Sequence, residues 1–93
     1  MIDLGAGRIR LAKRARMQWD AHGSTHLLLW PERGMILGDT AVEILRLCDG
    51  ERTLREVVAA LTAAHPEADQ EAIARDTAAF LNSMVDRALI DVL

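Results

Sequence analysis

The sequence predicts an α+β fold in which a small three-stranded antiparallel sheet precedes three helices. Two observations carry this prediction. Between residues 15 and 37, short apolar runs alternate with turn residues, as expected for consecutive strands. From residue 39 onward, apolar residues recur at helical spacing behind residues that favour helix starts. The 93 residues suffice for one domain with a single modest core.

The first two strands are predicted from alternation and from the turn between them. Residues 15–20 alternate apolar and polar side chains, a pattern that should direct Met17 and Trp19 toward the core. Turn chemistry then leads to a returning apolar strand over residues 26–30. This second strand should end at Pro31, which lacks the amide that a central ladder needs.

The third strand, residues 35–37, consists of apolar residues between Gly34 and Gly38. It completes an antiparallel meander and lies at the edge of the sheet. A strand without a charged residue is poorly protected against pairing with another chain. From the residues alone two alternatives remain: a helix or a partner subunit covers this edge, or the edge accepts an additional strand.

The first helix is predicted to begin with a capping box formed by Thr40 and Glu43. Gly50 is predicted as its left-handed stop. Its buried stripe comprises Ala41, Ile44, Leu45 and Cys48.

Two more helices and a tail follow. Thr53 and Glu56 repeat the capping-box spacing ahead of a second helix, which ends before Pro66. The third helix should start near Asp69, and residues 89–93 should form a short extended tail. The residues that the third helix is predicted to bury are Ile73, Thr77, Phe80, Leu81 and Met84. Compact helices after a small sheet resemble a winged-helix module.

Charge is distributed unevenly along the chain. Through Trp19 there are five basic residues and one acidic residue, whereas the remainder has six basic and thirteen acidic residues. Residues 1–14 are therefore predicted to form a flexible basic arm of the single domain, residues 1–93. Such an arm could bind nucleic acid or acidic lipid, but we favour an arm that rests on an acidic body without a ligand.

The residues predict neither an active site nor a metal site. Cys48 lies on the apolar stripe of the first helix, where a small buried hydrophobe is expected. The histidines lack the Cys, Asp or Glu partners of a metal-ligand set. Glu43, Asp49 and Glu51 lie around a helix end and should be solvated, and no nucleophile is paired with a base. We therefore expect a protein that is not an enzyme and that needs no cofactor.

A single cysteine cannot form an internal disulfide, which favours a reducing compartment. The apolar runs are shorter than a membrane span, and the first residues lack the apolar core of a secretory signal. The sequence therefore predicts a cytoplasmic protein that does not bind membranes.

Five sequence runs carry a family resemblance. They are WD at residues 19–20, LLLWPERG at 27–34, LGDTAVEILRLCDG at 37–50, TLREVV at 53–58 and DTAAFL at 76–81. In this order and spacing they resemble the pyrroloquinoline quinone biosynthesis protein D family. The similarity extends over nearly the whole chain.

The resemblance implies a non-catalytic peptide chaperone with the fold called the RiPP recognition element. Members of the family hold a ribosomally made precursor peptide and present it to a radical SAM enzyme, which links a glutamate and a tyrosine within it. The peptide adds as an extra strand in the groove between the third strand and the third helix. By matching position, the peptide-binding residues are Met35, Ile36, Leu37, Asp76, Ala79, Phe80 and Ser83.

Three residues depart from the family pattern. Gly38 stands where the family often has Asn or Ser, so the first helix must rely on Asp39 or Thr40 for its start. Thr77 replaces an aliphatic residue on the third helix, and Ala88 replaces a glycine near its end. These changes should leave the fold intact and alter the shape of the groove.

The alternative function is a DNA-binding or transcription-regulating winged helix, which the fold plan and the basic arm would suit. Against it, the third helix offers a phosphate backbone few cations. Over residues 70–87 the charged residues are Arg75 and Arg87 against Glu71, Asp76 and Asp86. We therefore expect no nucleic-acid partner.

The sequence also permits a strand-exchanged homodimer. The two-strand ribbon over residues 15–30 is marginal unless it packs on helices. Flexible glycines at positions 34 and 38 would allow the ribbon to reach a neighbouring copy.

Overall fold

A computed structural model of the chain describes residues 6–93, along which lie six strands and three helices. The elements follow in the order β1 (Arg8–Leu11), β2 (Arg16–Asp20), β3 (Thr25–Trp30), β4 (Arg33–Leu37), α1 (Asp39–Arg46), β5 (Asp49–Thr53), α2 (Leu54–Ala64), α3 (Gln70–Asp86) and β6 (Ile90–Val92). The strands form two antiparallel sheets, ordered β2-β3-β4 and β5-β1-β6. The predicted α+β class is confirmed, and the second sheet is an addition to it.

The first sheet is the predicted meander. Met17 on β2, Leu28 on β3 and Met35 on β4 form one row across it, and Leu28 is fully buried. The two-residue turn between β3 and β4 consists of Pro31 and Glu32, and Glu32 adopts a φ of 70°. The turn thus combines a proline with a left-handed residue, as in a type II turn.

Trp19 does not point into the core as predicted, because its side chain is 54 % exposed. It shares a row with His26 and Leu37, and burial decreases across that row from Leu37 on β4 to Trp19 on β2. Met17 and Trp19 therefore do share one face of β2, but the core does not extend beneath Trp19 on this edge strand. The Trp19 ring instead packs against the ring of His26, with 4.9 Å between the centroids.

The prediction of a flexible arm over residues 1–14 is wrong for β1, which is the central strand of the second sheet. Ile9 pairs with Val92 and is fully buried. Arg10 extends from the opposite face and forms a 3.3 Å ion pair with Asp91. The Arg-Ile-Arg-Leu sequence is thus a half-buried strand whose charges face outward. Residues 1–5 of the predicted arm lie outside the described residues.

Helix α1 starts without the predicted capping box. Its N-cap is Gly38, and no side chain accepts a hydrogen bond from its first turn. Glu43 instead contacts His65 at the end of α2, with distances of 2.7 and 2.8 Å from His65 Nε2 to the two carboxylate oxygens. Gly50 does adopt a left-handed φ of 85°, but it lies within β5, and α1 already ends at Arg46.

The other two helices begin as predicted. The Thr53 hydroxyl accepts from the Glu56 amide at 3.3 Å, and the Glu56 carboxylate accepts from the Thr53 amide at 3.2 Å. Asp69 caps α3 by accepting from the amides of Glu71 and Ala72 at 3.0 and 3.2 Å. No helix in residues 6–93 is long and apolar enough to cross a membrane.

One core joins both sheets and all three helices. From α3 it receives Thr77, Leu81 and Met84, whereas Ile73 and Phe80 are only partly buried and pack against its margin. The other buried side chains of this core are Ile9, Ala15, Leu28, Leu37, Val42, Ile44, Leu45, Cys48, Val57, Leu61, Leu89 and Ile90.

Candidate functional site

The last strand of the first sheet, β4, pairs with β3 on one side and forms an edge of that sheet. On β4, Leu37 is buried, Met35 is partly buried against the core, and Ile36 points to the other face with 75 % of its surface exposed. The three residues that the family resemblance assigned to the peptide edge therefore differ in role. Met35 and Leu37 anchor the strand, and Ile36 is accessible.

The turn fixes which backbone groups of β4 are free. Trp30 and Arg33 flank the two-residue turn, and such a closing pair is hydrogen-bonded. Pairs then alternate along an antiparallel ladder, so Met35 bonds toward β3. The N–H and C=O of Gly34 and Ile36 consequently point away from β3. These groups are available to a further strand.

An open cavity of about 570 Å³ lies between α1 and α3, and one of its lining residues is Gly38, which follows β4 directly. We call this cavity the α1–α3 pocket. Its apolar lining includes Ala41, Ile44, Ile73 and Phe80. Its polar lining includes Glu43, His65, Asp69 and Asp76. An edge strand thus leads, through one glycine, to an apolar pocket.

The predicted residues of α3 divide into two groups. Asp76 and Phe80 line the α1–α3 pocket. Ala79 and Ser83 are exposed on α3 and do not line it. The structure therefore brings Asp76 and Phe80 together with Gly38, while Ala79 and Ser83 lie on the exposed surface of the same helix.

Several lining residues were not predicted as part of a site. Helical spacing predicts Ala41, Ile44 and Ile73 only as core positions of their helices, since spacing alone does not distinguish a pocket wall from a core. The contact between Glu43 and His65 joins residues from two helices, so no local spacing indicates it.

The titratable groups near α1 are poorly suited to catalysis. Burial raises the pKa of the Cys48 thiol to about 12, and the charge of Asp49 adds to this effect, so the thiol stays protonated. The amide of Glu51 lowers the pKa of Asp49, with a further contribution from Arg52, so this exposed carboxylate stays ionised. Within residues 6–93 no three His, Cys, Asp or Glu side chains are grouped as a metal site would require.

One known protein family matches most of this chain. The family model described as coenzyme PQQ synthesis protein D (PqqD) matches residues 25–90, which include the first sheet from β3 onward, all three helices and the α1–α3 pocket. The chain belongs to the PqqD family. The resemblance seen in the sequence is thereby confirmed.

Two PqqD relatives illustrate the similarity. A protein of Stutzerimonas stutzeri named PqqA binding protein is 40 % identical over 77 residues, which are 83 % of this chain and 82 % of the relative. A protein of Azotobacter vinelandii with the same name is 36 % identical over 83 residues, 89 % of this chain and 88 % of the relative.

A solved PqqD structure has the same fold. It is the solution NMR structure of the PqqD truncation of Methylobacterium extorquens PqqCD, described as a functional and stand-alone RiPP recognition element. The TM-score is 0.72 at 30 % sequence identity, over 89 % of this chain and 87 % of the other. The similarity therefore extends over most of both chains.

Proposed function

We propose that this PqqD family chain binds the PqqA precursor peptide in pyrroloquinoline quinone biosynthesis and acts as a peptide chaperone without catalysing a reaction itself. Relatives that are 40 % identical over 77 residues and 36 % identical over 83 residues are named for PqqA binding. The observation that carries the proposal is the free edge of β4, which leads directly into the α1–α3 pocket.

In the proposed complex, the peptide adds as a strand beside β4. The outward N–H and C=O of Ile36 supply backbone hydrogen bonds, which give affinity with little dependence on sequence. Met35 and Leu37 hold β4 in register through their packing on the core. A peptide side chain beyond Leu37 enters the pocket beside Phe80.

The remaining predicted residues flank this path. Asp76 lies at the pocket, and its side chain is 74 % exposed. Ala79 and Ser83 present small side chains on the exposed surface of α3. Small residues there would let a peptide approach the helix closely, in line with their assignment to peptide binding.

The proposed role is to present the peptide to the radical SAM enzyme of the pathway, with the chemistry performed by that enzyme. The protonated, buried Cys48 supports a role without covalent catalysis. A chain that holds a peptide along one edge leaves the opposite side of that peptide accessible. The enzyme partner would act on the portion that the groove does not cover.

Titration of the purified protein with synthetic PqqA tests the proposal. We expect saturable binding by calorimetry, with perturbed amide resonances along β4 and α3, and a peptide mass that stays unchanged on incubation. A PqqA peptide of scrambled sequence should bind more weakly. Subsequent addition of the radical SAM enzyme should give a ternary complex.

Two outcomes would contradict the proposal. One is the absence of PqqA binding to the folded protein. The other is salt-dependent binding of random duplex DNA with perturbations on α3, which would favour the winged-helix alternative.

A further inference from the structure

The α1–α3 pocket combines an apolar interior with an acidic rim. Its carboxylates come from Glu43, Asp69 and Asp76, and none of the residues that line it is a lysine or arginine. The apolar walls suit an aliphatic or aromatic side chain. The rim, in contrast, has the charge that attracts a cation and repels an acidic group.

The three carboxylates differ in how many hydrogen bonds or ion pairs they already form with other groups of the protein. Asp69 caps α3 through its Oδ1, and both oxygens of Glu43 contact His65. Asp76 contacts only its neighbour Arg75, at 3.3 Å, and both side chains are more than two-thirds exposed. An exposed pair of this kind is weak, so the Asp76 carboxylate can exchange Arg75 for a ligand group.

The position of the pocket at the end of β4 determines what kind of ligand can reach this rim. The pocket adjoins Gly38, so a peptide strand that runs along β4 continues past Leu37 to the pocket mouth. Successive side chains of a strand point to opposite sides. A residue whose side chain enters the pocket therefore has neighbours whose side chains remain at the surface, close to the rim.

We propose, on the basis of the peptide-binding function above, that the pocket takes an apolar side chain of the bound peptide and that Asp76 selects a lysine or arginine adjacent to it in sequence. Long basic side chains suit this position because their methylene stems can lie on the apolar wall of Phe80 while the charged group reaches the carboxylate. An acidic residue at the same place is rejected.

Charge variants of α3 test this proposal against PqqA. Asp76→Asn should weaken binding about two- to five-fold, as expected for one partly exposed ion pair, and Asp76→Arg about ten-fold. Asp86 supplies the matched control, since it lies on the same helix, is exposed and does not line the pocket. Asp86→Asn and Asp86→Arg should leave the affinity within measurement error. Circular dichroism should show all four variants folded.

A pair of short synthetic peptides provides a direct probe of the pocket. In one, leucines alternate with lysines; in the other, leucines alternate with glutamates. Only the lysine peptide should perturb the resonances of Ile73 and Phe80, and Asp76→Arg should remove that response. Equal responses to both peptides would overturn the proposal.

The failure of this proposal is distinguishable from the failure of the proposed function. If PqqA binds the parent and the Asp76 and Asp86 variants equally, the charge selection is wrong and peptide binding stands. If PqqA does not bind the parent protein at all, the proposed function is wrong. Concentration-dependent shifts of Phe80 without peptide would instead assign the pocket to a second copy of the chain and overturn the proposal.

Discussion

Ile36 lies directly opposite Leu27 in the β3–β4 ladder, next to the row formed by Met35 and Leu28. Counted from the turn, the row of Ile36 is one in which paired residues exchange no backbone hydrogen bonds. Ile36 thus directs its N–H away from β3, and Met35 directs its own toward β3. Proline, which lacks the N–H, should therefore have different effects at these two neighbouring positions.

We predict that Ile36→Pro stays folded and loses PqqA affinity about ten-fold, since one outward donor is removed and the ring blocks the incoming strand. Met35→Pro breaks the ladder to β3 and should unfold the sheet. Ile36→Val, the control, should change neither property. Circular dichroism reports folding, and calorimetry reports binding. Undiminished binding by folded Ile36→Pro would rule out strand addition at this edge.

Phe80 should contribute to binding as well as to folding. Because its ring is only partly buried and lines the pocket, Phe80→Ala should cost about 2 kcal/mol of stability and also remove pocket contacts. Leu81→Ala removes the adjacent, fully buried side chain and should cost about 3 kcal/mol while leaving the affinity of the folded fraction unchanged. Urea denaturation and calorimetry separate the two effects. Equal affinities for both variants would exclude Phe80 from the site.

Ala88 stores backbone strain that a glycine would release. Its φ of 58° lies in the left-handed region, where a Cβ costs about 1 to 2 kcal/mol. Ala88→Gly should raise stability by about 0.5 to 1 kcal/mol, the remainder being offset by the freedom of glycine in the unfolded chain. Ala59→Gly, on the exposed side of α2, should lower it by about 1 kcal/mol. If the denaturation midpoints of Ala88→Gly and Ala59→Gly shifted in the same direction, the assignment of strain to Ala88 would be wrong.

Cys48 should resist alkylation in the native protein. Its pKa is raised from 9.0 to about 12, so the reactive thiolate is scarce in mildly alkaline buffer. Because the folded state holds this proton more tightly, the associated stability is fully present below pH 9.0 and is lost as the pH rises toward about 12. Iodoacetamide labelling followed by mass spectrometry should be slow, and fast once urea unfolds the chain. Rapid native labelling would contradict the burial of the thiol.

A strand-exchanged homodimer stays a prediction. Within one chain, Leu28 of the ribbon is already buried in the core formed with the helices, so exchange would replace equivalent contacts rather than add new ones. Light scattering over a concentration series should show the mass rising from monomer to dimer. A monomer mass at the highest concentration reached would contradict exchange.

The elements that the sequence predicts correctly are those specified by neighbouring residues. The capping box of Thr53 and Glu56 and the end of β3 at Trp30, just before Pro31, each depend on residues within a few positions. The second sheet depends on distant ones. In β5, the run from Asp49 to Thr53 has the composition of a turn, and it is a strand only because β1 lies beside it.

The candidate site likewise has one part that the sequence predicts and one part that it does not. For β4, the edge position could be predicted because it follows from the order of the strands. The alternation of its side chains between two faces could be predicted because it follows from strand geometry. The α1–α3 pocket could not be predicted, since it depends on how three helices that are separate in sequence pack in the shared core. A family resemblance supplied Asp76 and Phe80, whereas residue patterns alone placed Phe80 in the core and gave Asp76 no role.

The central position of β1 has a consequence for the order in which the chain is made. A ribosome synthesises β1 before any other element described here, yet one of its two neighbours, β6, is the last. Until residues 90–92 emerge, one ladder of β1 and the side chain of Ile9 lack their native cover. The second sheet is therefore completed only after all three helices have been made, and a chain that lacks β6 exposes an unpaired strand to chaperones and proteases.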